Sequence, residues 1–278
     1  MSDNFLNRYN SPKLDERSLY LRRLIIRAFE GGQRGHLGSS MSLVEIMRVL
    51  FDSYLNYDYL NPKWEDRDRL VFSKGHGCLA LYVLLADKGF ISLDDLDTFC
   101  HFNSILGGHP EYGKVPGVEA STGALGHGLP IAVGMAIASK IKNKKNKTVV
   151  VLGDGEINEG SNWEAALSAS KHKLNNLIAI IDYNKLQSYG ETREVLNLEP
   201  LQEKWTSFGF DVLETDGHNV VEILNSLKNF NLSNEKPKIL ICHTVKGKGF
   251  SFAEHNPSWH HKSKMSNEEI QLMYESLK

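Results

Sequence analysis

The sequence predicts an α/β fold in which a mostly parallel β-sheet is flanked by helices. Three short apolar runs, at 149–152, 177–181 and 239–242, have the length and composition of strands buried on both faces. A helical pattern over 163–174 separates the first two runs. A strand, a helix and a second strand in this order form a right-handed crossover with parallel strands, which sets the direction of the sheet.

Further helices are predicted before, between and after these strands. Over 14–29, apolar residues recur at three- and four-residue steps between charged residues, as in an amphipathic helix. Ser42 precedes a similar pattern that ends at Phe51, so we expect Ser42 to be the N-cap of a second helix. Three more helical segments, 77–88, 130–142 and 220–230, complete the α/β pattern.

The stretch from His101 to Gly128 is predicted to be a loop. It is rich in glycine, contains two prolines and shows little periodic pattern. A loop of this length in a compact domain is usually functional. A helix is expected directly after it, because Pro130 suits a first helical turn.

Composition and charge limit the classes of function. With 278 residues, 41% of them hydrophobic, we expect a single domain over 1–278. The formal net charge of -2 gives no field that would gather nucleic acid or anionic lipid. No run approaches the roughly 20 apolar residues of a membrane span, and residues 1–16 lack the apolar core of a secretory signal. We therefore expect a cytosolic protein that acts on small molecules. Cys78, Cys100 and Cys242 lie far apart without a C-x-x-C pair, which favours free thiols.

Polar residues follow two of the predicted strands at the point where each strand ends. Asp154 lies in Gly153-Asp154-Gly155 after the first run, and Asn184 ends Asp182-Tyr-Asn184 after the second. Neighbouring parallel strands end at the same edge of a sheet, so we expect Asp154 and Asn184 to lie close together. One carboxylate and one amide oxygen suit Mg²⁺ that is shared with phosphate oxygens and waters. A helix that starts near Glu159 would add free N–H groups close by.

Other phosphate and metal motifs do not fit these residues. The Gly-Asp-Gly segment lacks the G-K-[ST] of a Walker loop. A calcium loop starting at Asp154 needs glycine at its sixth position and glutamate at its twelfth, where Glu159 and Ala165 stand. The third glycine of a dinucleotide fingerprint is displaced to Gly160. Taken alone, the Gly-Asp-Gly segment is also compatible with an ordinary turn between a strand and a helix.

The Gly-Asp-Gly segment, followed about thirty residues later by asparagine at a strand end, resembles the diphosphate-binding signature of thiamine-diphosphate enzymes. Four further motifs, in order and spacing, resemble the N-terminal half of transketolase: Gly35-His36-Leu-Gly38, Ser73-Lys-Gly-His76-Gly, Gly108-His109-Pro110 and Ser121-Thr-Gly-Ala-Leu-Gly-His127-Gly. The similarity extends over 18–262. It implies a thiamine-diphosphate-binding fold and the transfer of a two-carbon ketol unit from a ketose to an aldose.

The resemblance implies how the cofactor is held. Asp154, Asn184 and the main-chain carbonyl of Leu186 would bind a divalent cation, which is Mg²⁺ or another ion such as Ca²⁺ or Mn²⁺. Gly153 and Gly155 would contact the diphosphate, with the N–H of Gly155 as a donor. The aminopyrimidine and thiazolium rings would lie against three loop residues, Gly123, Ala124 and Leu125. Glu159 resembles a carboxylate that meets the partner's cofactor-activating glutamate, although an acidic residue in a first helical turn can also simply stabilise the helix dipole.

Histidines are the catalytic residues that the resemblance implies. The family's active-site histidines match His36, His76, His109 and His260, and His76 and His260 would also contact the cofactor. Histidine suits this chemistry, because ketol transfer moves protons on and off sugar oxygens near neutral pH. The last match leaves His255 and His261 open as alternatives. At position 127 the chain has His where many relatives have Gln.

The chain is much shorter than a full transketolase. A pyrimidine-binding domain, with the glutamate that activates the cofactor, and a third domain have no match in it. The resemblance therefore implies a separate C-terminal subunit, a heterotetramer with two chains of each kind, and sugar or sugar-phosphate substrates. Two alternatives stay open, namely another thiamine-diphosphate-dependent synthase or decarboxylase and a non-catalytic protein that binds thiamine diphosphate.

Overall fold

A computed structural model describes residues 9, 11–261 and 264–278. These residues form a five-stranded sheet in which every neighbouring pair of strands is parallel, in the order β1-β2-β3-β5-β4. The strands are β1 (Arg69–Phe72), β2 (Thr148–Gly153), β3 (Leu177–Tyr183), β4 (Asp211–Asp216) and β5 (Lys238–His243). The predicted fold class is confirmed. The three predicted strands are the central ones, β2, β3 and β5, and the two edge strands were not predicted.

Helices cover both faces of the sheet. They are α1 (Glu16–Gly32), α2 (Leu37–Met41), α3 (Val44–Val49), α4 (Cys78–Asp87), α5 (Gly128–Ile141), α6 (Gly160–Lys171), α7 (Thr192–Val195), α8 (Leu201–Ser207), α9 (Val220–Asn229) and α10 (Asn267–Ser276). A π-helical turn, Leu50–Tyr54, extends α3, and short 3-10 turns lie at Gly75–Gly77, Leu93–Thr98, Gly155–Asn158 and Pro257–Trp259. The helices predicted at 14–29, 77–88, 130–142 and 220–230 correspond to α1, α4, α5 and α9.

The core is divided in two by the sheet. Alternate residues of a strand point to opposite faces, so Val149 and Val151 of β2 pack with α1, α3 and α4, whereas Val150 and Leu152 pack with α5 and α6. The side chains of β2, β3 and β5 are buried along their whole length. This burial on both faces explains why these strands are continuous apolar runs in the sequence.

The predicted helix N-cap at Ser42 is wrong. The helical segment begins earlier, at Leu37, and Ser42 lies between α2 and α3 with helical backbone angles. Its hydroxyl donates to the Asp182 carboxylate, 2.6 Å away, and to the carbonyl of Ser39. Because this hydroxyl satisfies a buried carboxylate, it is not used to cap a helix.

The long loop predicted from His101 to Gly128 is confirmed, since helices and strands are absent between Thr98 and Gly128 in this fully described stretch. Leu106, Val115 and Val118 are buried and anchor the loop to the core. The described cysteines are free thiols, as expected: Cys78 and Cys242 are buried and Cys100 is partly exposed.

Within the described residues, no helix is long and apolar enough to cross a membrane. The cytosolic location stays a prediction. Residues 1–8 and 10, which belong to the segment without a secretory signal, lie outside the described residues, as does Lys262 at the end of the predicted similarity.

Candidate active site

The ends of β2 and β3 lie side by side, as the sequence predicts. The two strands are paired in parallel, with Gly153 opposite Asp182. One carboxylate oxygen of Asp154 accepts a hydrogen bond from the N–H of Gly155, 2.7 Å away, and the other accepts one from the N–H of Lys185. Asp154 is therefore in direct contact with the residue that follows Asn184.

Asp154 and Asn184 are both buried at this edge. Burial raises the pKa of Asp154 to about 6, against the attraction of the nearby Lys246 ammonium. The side-chain oxygen of Asn184 accepts a hydrogen bond from the N–H of Leu186, 3.1 Å away. The side-chain nitrogen of Asn184 is buried and has no hydrogen-bond partner among the described residues. A buried donor of this kind is suited to an anionic ligand, since an unsatisfied polar group is costly.

Two buried lysines lie under the same edge. The Lys246 ammonium donates to the main-chain carbonyl of Leu186, 2.7 Å away, and burial lowers the pKa of Lys246 to about 7. The Lys74 ammonium is 2.5 Å from a carboxylate oxygen of Asp182, and the Asp182 carboxylate also accepts hydrogen bonds from Ser42 and Thr244. Burial alone would raise the pKa of Asp182, but Lys74 holds it below its usual value.

Buried Glu156 joins three of the motif segments. It accepts hydrogen bonds from the N–H groups of Gly126 at 3.1 Å and Gly153 at 3.0 Å, and one from the hydroxyl of Ser73. Burial raises the pKa of Glu156. One carboxylate thus holds the loop before α5, the end of β2 and the end of β1 in a fixed arrangement.

Histidines from three distant parts of the chain meet above this edge. The ring centroids of His36, His76 and His260 lie between 5.3 and 5.7 Å from one another. Burial lowers the pKa of His36 to about 4 and that of His260 to about 3, and it lowers the pKa of His76 well below the usual value. Burial also lowers the pKa of His109. These imidazoles are neutral at pH 7 and can accept a proton.

The three histidines near the end of the chain, His255, His260 and His261, occupy different positions relative to the site. Nε2 of His260 lies 2.9 Å from the hydroxyl of Ser188, and His260 lines a cavity together with His36 and His76. His261 packs on His36, with ring centroids 4.6 Å apart. His255 does not line this cavity.

A cavity of about 380 Å³ brings the predicted residues together. Those that line it are His36, His76, His109, Gly123, Leu125, Gly153, Asp154, Gly155, Glu159, Asn184, Leu186 and His260. Ala124 lies beside them in the chain, is exposed and does not line the cavity. Glu159 is exposed at the N-terminus of α6, where the sequence predicts a helix start.

Several lining residues were not predicted: Lys74, Glu156, Asn158, Gln187, Ser188, Tyr189 and Lys246. Lys74 lies in the Ser73-Lys-Gly-His76-Gly motif, of which only the histidine was predicted to be a site residue. Lys246 follows the end of β5, which lies beside β3. The rule that identified Asp154 and Asn184 could have identified Lys246 too, had the order of the strands been known.

The residues at this edge of the sheet can bind a divalent ion only if a bound ligand supplies further coordinating atoms. No group of three His, Cys, Asp or Glu side chains in the described residues could hold a metal ion by itself. Asp154, the oxygen of Asn184 and the carbonyl of Leu186 are hard oxygen donors that form an incomplete set, which suits Mg²⁺ completed by phosphate oxygens and waters. The absence of a side chain at Gly155 lets Gln187 lie close to this edge, since a Cβ there would be 3.0 Å from the Gln187 side chain.

A second cavity, of about 400 Å³, adjoins the first and shares His36, His76 and His109 with it. Arg34 and Lys114, which are both exposed, also line it. A ligand that extended from the first cavity past the three shared histidines would enter a space that these two cations line.

Comparisons with known proteins decide the family. A family model described as the thiamine diphosphate binding domain of transketolase matches residues 15–277. The chain belongs to the transketolase family. It is 45% identical over 240 residues to a subunit of the apulose-4-phosphate transketolase of Phocaeicola vulgatus, with 86% of this chain and 85% of the relative covered. It is 43% identical over 220 residues to a subunit of the 6-deoxy-6-sulfo-D-fructose transketolase of a Clostridium species, with 79% and 80% covered.

Solved transketolase structures share the fold. The structure from Campylobacter jejuni is 34% identical, with a TM-score of 0.88 over 94% of this chain. The chain spans only 42% of the length of that transketolase. These similarities confirm the expected family, its thiamine-diphosphate-binding fold and the ketol-transfer function of a transketolase subunit. The relatives' description as subunits also implies a partner subunit.

Proposed function

We propose that this chain is the N-terminal subunit of a split transketolase and that it holds thiamine diphosphate at the joined ends of β2 and β3. The observation that carries the proposal is the buried contact between Asp154 and the segment of Asn184. Asp154, Asn184 and the carbonyl of Leu186 bind the divalent ion, which is Mg²⁺ or a similar cation. Gly153 and Gly155 lie against the diphosphate that completes the ion's coordination.

The loop from His101 to Gly128 receives the cofactor rings at Gly123 and Leu125, which line the cavity, and at Ala124, which is exposed between them. Gly123 has a φ of 136°, and a Cβ there would lie 2.9 Å from the ring of His109. Glycine is therefore required for the loop to lie this close to the histidine. When bound, thiamine diphosphate would supply a nucleophilic ring carbon and a ring that stabilises the electron pair left by the broken C–C bond.

The histidines move the protons of the reaction. His36, His76, His109 and His260 are neutral at pH 7 for the reason given above, so one of them can take the proton of a donor hydroxyl as the C–C bond breaks. The resulting imidazolium then returns the proton to the oxygen of the acceptor aldehyde. A group of histidines around one cavity suits a donor with several hydroxyl groups.

The substrates are sugars, and the second cavity favours those with an anionic end. Both relatives described above are named for substrates that carry such a group, a phosphate in one case and a sulfo group in the other. Arg34 and Lys114 line the second cavity and can attract an anionic group of a ligand that extends into it. Phosphorylated ketoses are therefore the first donors to test.

A partner subunit completes the site. Phe102, Tyr112 and Tyr189 are large apolar residues exposed on the loop and at the cavity, as expected for a surface that another chain covers. Exposed Glu159 is the candidate contact for a cofactor-activating glutamate of the partner. We infer that residues 1–278 act as one diphosphate-binding domain, that the partner carries the pyrimidine-binding domain, and that two chains of each kind form a heterotetramer.

The test is a coupled assay of aldehyde release from ketose phosphates, with thiamine diphosphate and Mg²⁺. The isolated chain is expected to be inactive, and the mixture with the C-terminal subunit is expected to transfer the two-carbon unit. Mixtures without the cofactor or without a divalent ion are the controls. Turnover by the isolated chain would contradict the proposal of a split enzyme. A mixture that bound thiamine diphosphate saturably but transferred no two-carbon unit would favour a non-catalytic binding role.

A further inference from the structure

The second cavity is lined by cations and by no carboxylate. Arg34 and Lys114 line it together with several histidines, and within the part of the chain that the structure describes none of its lining residues is aspartate or glutamate. The first cavity differs, because the carboxylates of Asp154, Glu156 and Glu159 line it. The charges around the second cavity therefore favour an anionic group.

The histidines that the two cavities share do not supply this positive charge. Burial lowers the pKa values of His36, His76 and His109, so these imidazoles are neutral at pH 7. A neutral imidazole can form hydrogen bonds with a sugar hydroxyl but does not neutralise an anion. The permanent charge of the cavity therefore comes from the guanidinium of Arg34 and the ammonium of Lys114.

The Arg34 guanidinium is available to bind a ligand. Among the described residues it has no hydrogen-bond or ion-pair partner, whereas each of the other described arginines has one. The Lys114 ammonium, in contrast, lies 3.2 Å from a carboxylate oxygen of Glu111. An arginine with free donors can bind two oxygens of a phosphate or sulfonate at the same time.

The main chain on both sides of Arg34 is held in place by close packing. Arg34 lies just after α1, where a Cβ on Gly32 would lie 2.5 Å from the ring of Phe99. Gly35 has a φ of 142°, and a Cβ there would lie 3.1 Å from the ring of Phe29. Phe99 itself lines the second cavity. The fold therefore sets the position of Arg34 beside this cavity, and its exposed side chain stays free to meet a ligand.

We propose that Arg34 is a specificity-determining residue that binds the terminal phosphate or sulfonate of the sugar substrate, so that this subunit itself selects anionic over neutral sugars. The inference rests on the proposed function, in which the reacting end of the sugar lies at the histidines shared by the two cavities. A sugar that extends past these histidines brings its other end into the second cavity. Lys114 assists there, with its charge partly neutralised by Glu111.

The test measures kcat and KM of the two-subunit enzyme, loaded with thiamine diphosphate and Mg²⁺, for three donor ketoses that differ only in their terminal group. These are fructose 6-phosphate, 6-deoxy-6-sulfofructose and fructose. The variants are Arg34→Met, which removes the charge, and Arg34→Lys, which keeps the charge but not the planar pair of donors. Lys63→Met is the matched control, since Lys63 is exposed and lies outside the cavity.

The wild type is expected to have a higher kcat/KM with the anionic ketoses than with fructose. In the Arg34→Met protein this preference should fall about 10- to 100-fold, through KM rather than kcat, because a hydrogen bond to a charged group is lost. Arg34→Lys should retain part of the preference, and Lys63→Met should retain all of it. A loss with only one of the two anionic ketoses would assign Arg34 to that anion, phosphate or sulfonate.

A merely structural role of Arg34 would lower kcat/KM for all three ketoses by the same factor. That result, or an unchanged preference in the Arg34→Met protein, would overturn the inference. Calorimetry of the same ketoses with the two-subunit protein, without thiamine diphosphate, gives a second measurement that needs no turnover. A wild type that bound fructose 6-phosphate no better than fructose would also overturn the inference. Failure of the wild-type mixture to transfer a two-carbon unit from any ketose would instead count against the proposed function.

Discussion

At the scale of single residues, the site depends on a buried carboxylate whose charge is poorly compensated by the protein. Burial raises the pKa of Asp154 to about 6, so the charged form is disfavoured where it lies. A divalent ion bound to Asp154 would offset that cost. The proposed metal site and the raised pKa are two consequences of the same position at the end of β2.

Replacing this carboxylate tests the metal site. Asp154→Asn is expected to lower the Mg²⁺-dependent affinity for thiamine diphosphate by about a hundredfold or more, since the ion loses its charged ligand. Calorimetry with the partner subunit present measures this affinity. The control is Glu203→Gln, because Glu203 is exposed on α8. An Asp154→Asn protein that bound the cofactor as tightly as the wild type would exclude these residues as the metal site.

Three residues of the site, Asp154, Lys246 and Glu156, show what the sequence could and could not predict. Asp154 and Asn184 were predicted to lie together because their strands are consecutive in the chain among the buried apolar runs. Lys246 was missed because its strand, β5, lies beside β3 although β4 comes between them in the chain. Glu156 was missed because its role consists of contacts with segments around Ser73 and Gly126, which only the folded chain brings together.

At the scale of elements, the sheet was predictable where both of its faces are covered. The central strands are continuous apolar runs, whereas β4, at the edge, has the sequence Asp-Val-Leu-Glu-Thr-Asp and is only partly buried. Strand β1 has only four residues and begins with a charged one. Partial burial at an edge allows polar residues in β4. In β1 the apolar run is only three residues long, Leu70 to Phe72, which is too short to identify a strand.

The turn at Gly75 and the loop at Gly123 can lie in contact only because residue 75 has no side chain. A Cβ on Gly75 would lie 2.8 Å from the main-chain nitrogen of Gly123, in the loop that receives the cofactor rings. Gly75→Ala is expected to destabilise the chain by about 1–3 kcal/mol, the usual cost of overpacking. It should also weaken thiamine-diphosphate binding, because the loop must move away. Urea unfolding and calorimetry measure the two effects.

The control for this variant is another glycine-to-alanine change. A Cβ on Gly134, within α5, would meet nothing within 4 Å. Gly134→Ala is expected to stabilise the isolated chain by about 0.5–1 kcal/mol, because alanine favours the helix. If both variants unfolded at the same urea concentration as the wild type, the close contact between Gly75 and Gly123 would not matter for stability.

At the scale of the whole molecule, the site is assembled from residues between positions 36 and 260, which the carboxyl edge of one sheet brings together. This arrangement places several imidazoles in one poorly hydrated space. Their neutral state at pH 7 follows from burial and from the lysines below them. The stability of the chain should therefore depend on pH in a way that individual histidines control.

His36 provides the test of this dependence. Its pKa is about 4 in the folded chain, against about 6.5 when unfolded. The unfolded chain then binds more protons between these values, so stability is complete above pH 6.5 and is lost as the pH falls towards 4. The raised pKa of Asp154, about 6, acts in the opposite direction between pH 3.8 and 6. Lys246, with a pKa of about 7, stays protonated in both states below that value.

The comparison of His36→Gln with the wild type isolates the histidine, because the other groups are common to both proteins. As the pH falls from 6.5 to 4, the variant is expected to gain about 1 kcal/mol relative to the wild type, after allowance for the partial exposure of His36. That gain corresponds to about 2–4 °C in Tm, which thermal unfolding of the isolated chain at stepwise pH values measures. His172→Gln, at an exposed histidine, should follow the wild type at every pH. If Tm differed between the His36→Gln protein and the wild type by the same amount at every pH in this range, His36 would be equally basic in the folded and unfolded chains. Burial could not then be the reason for its neutral state.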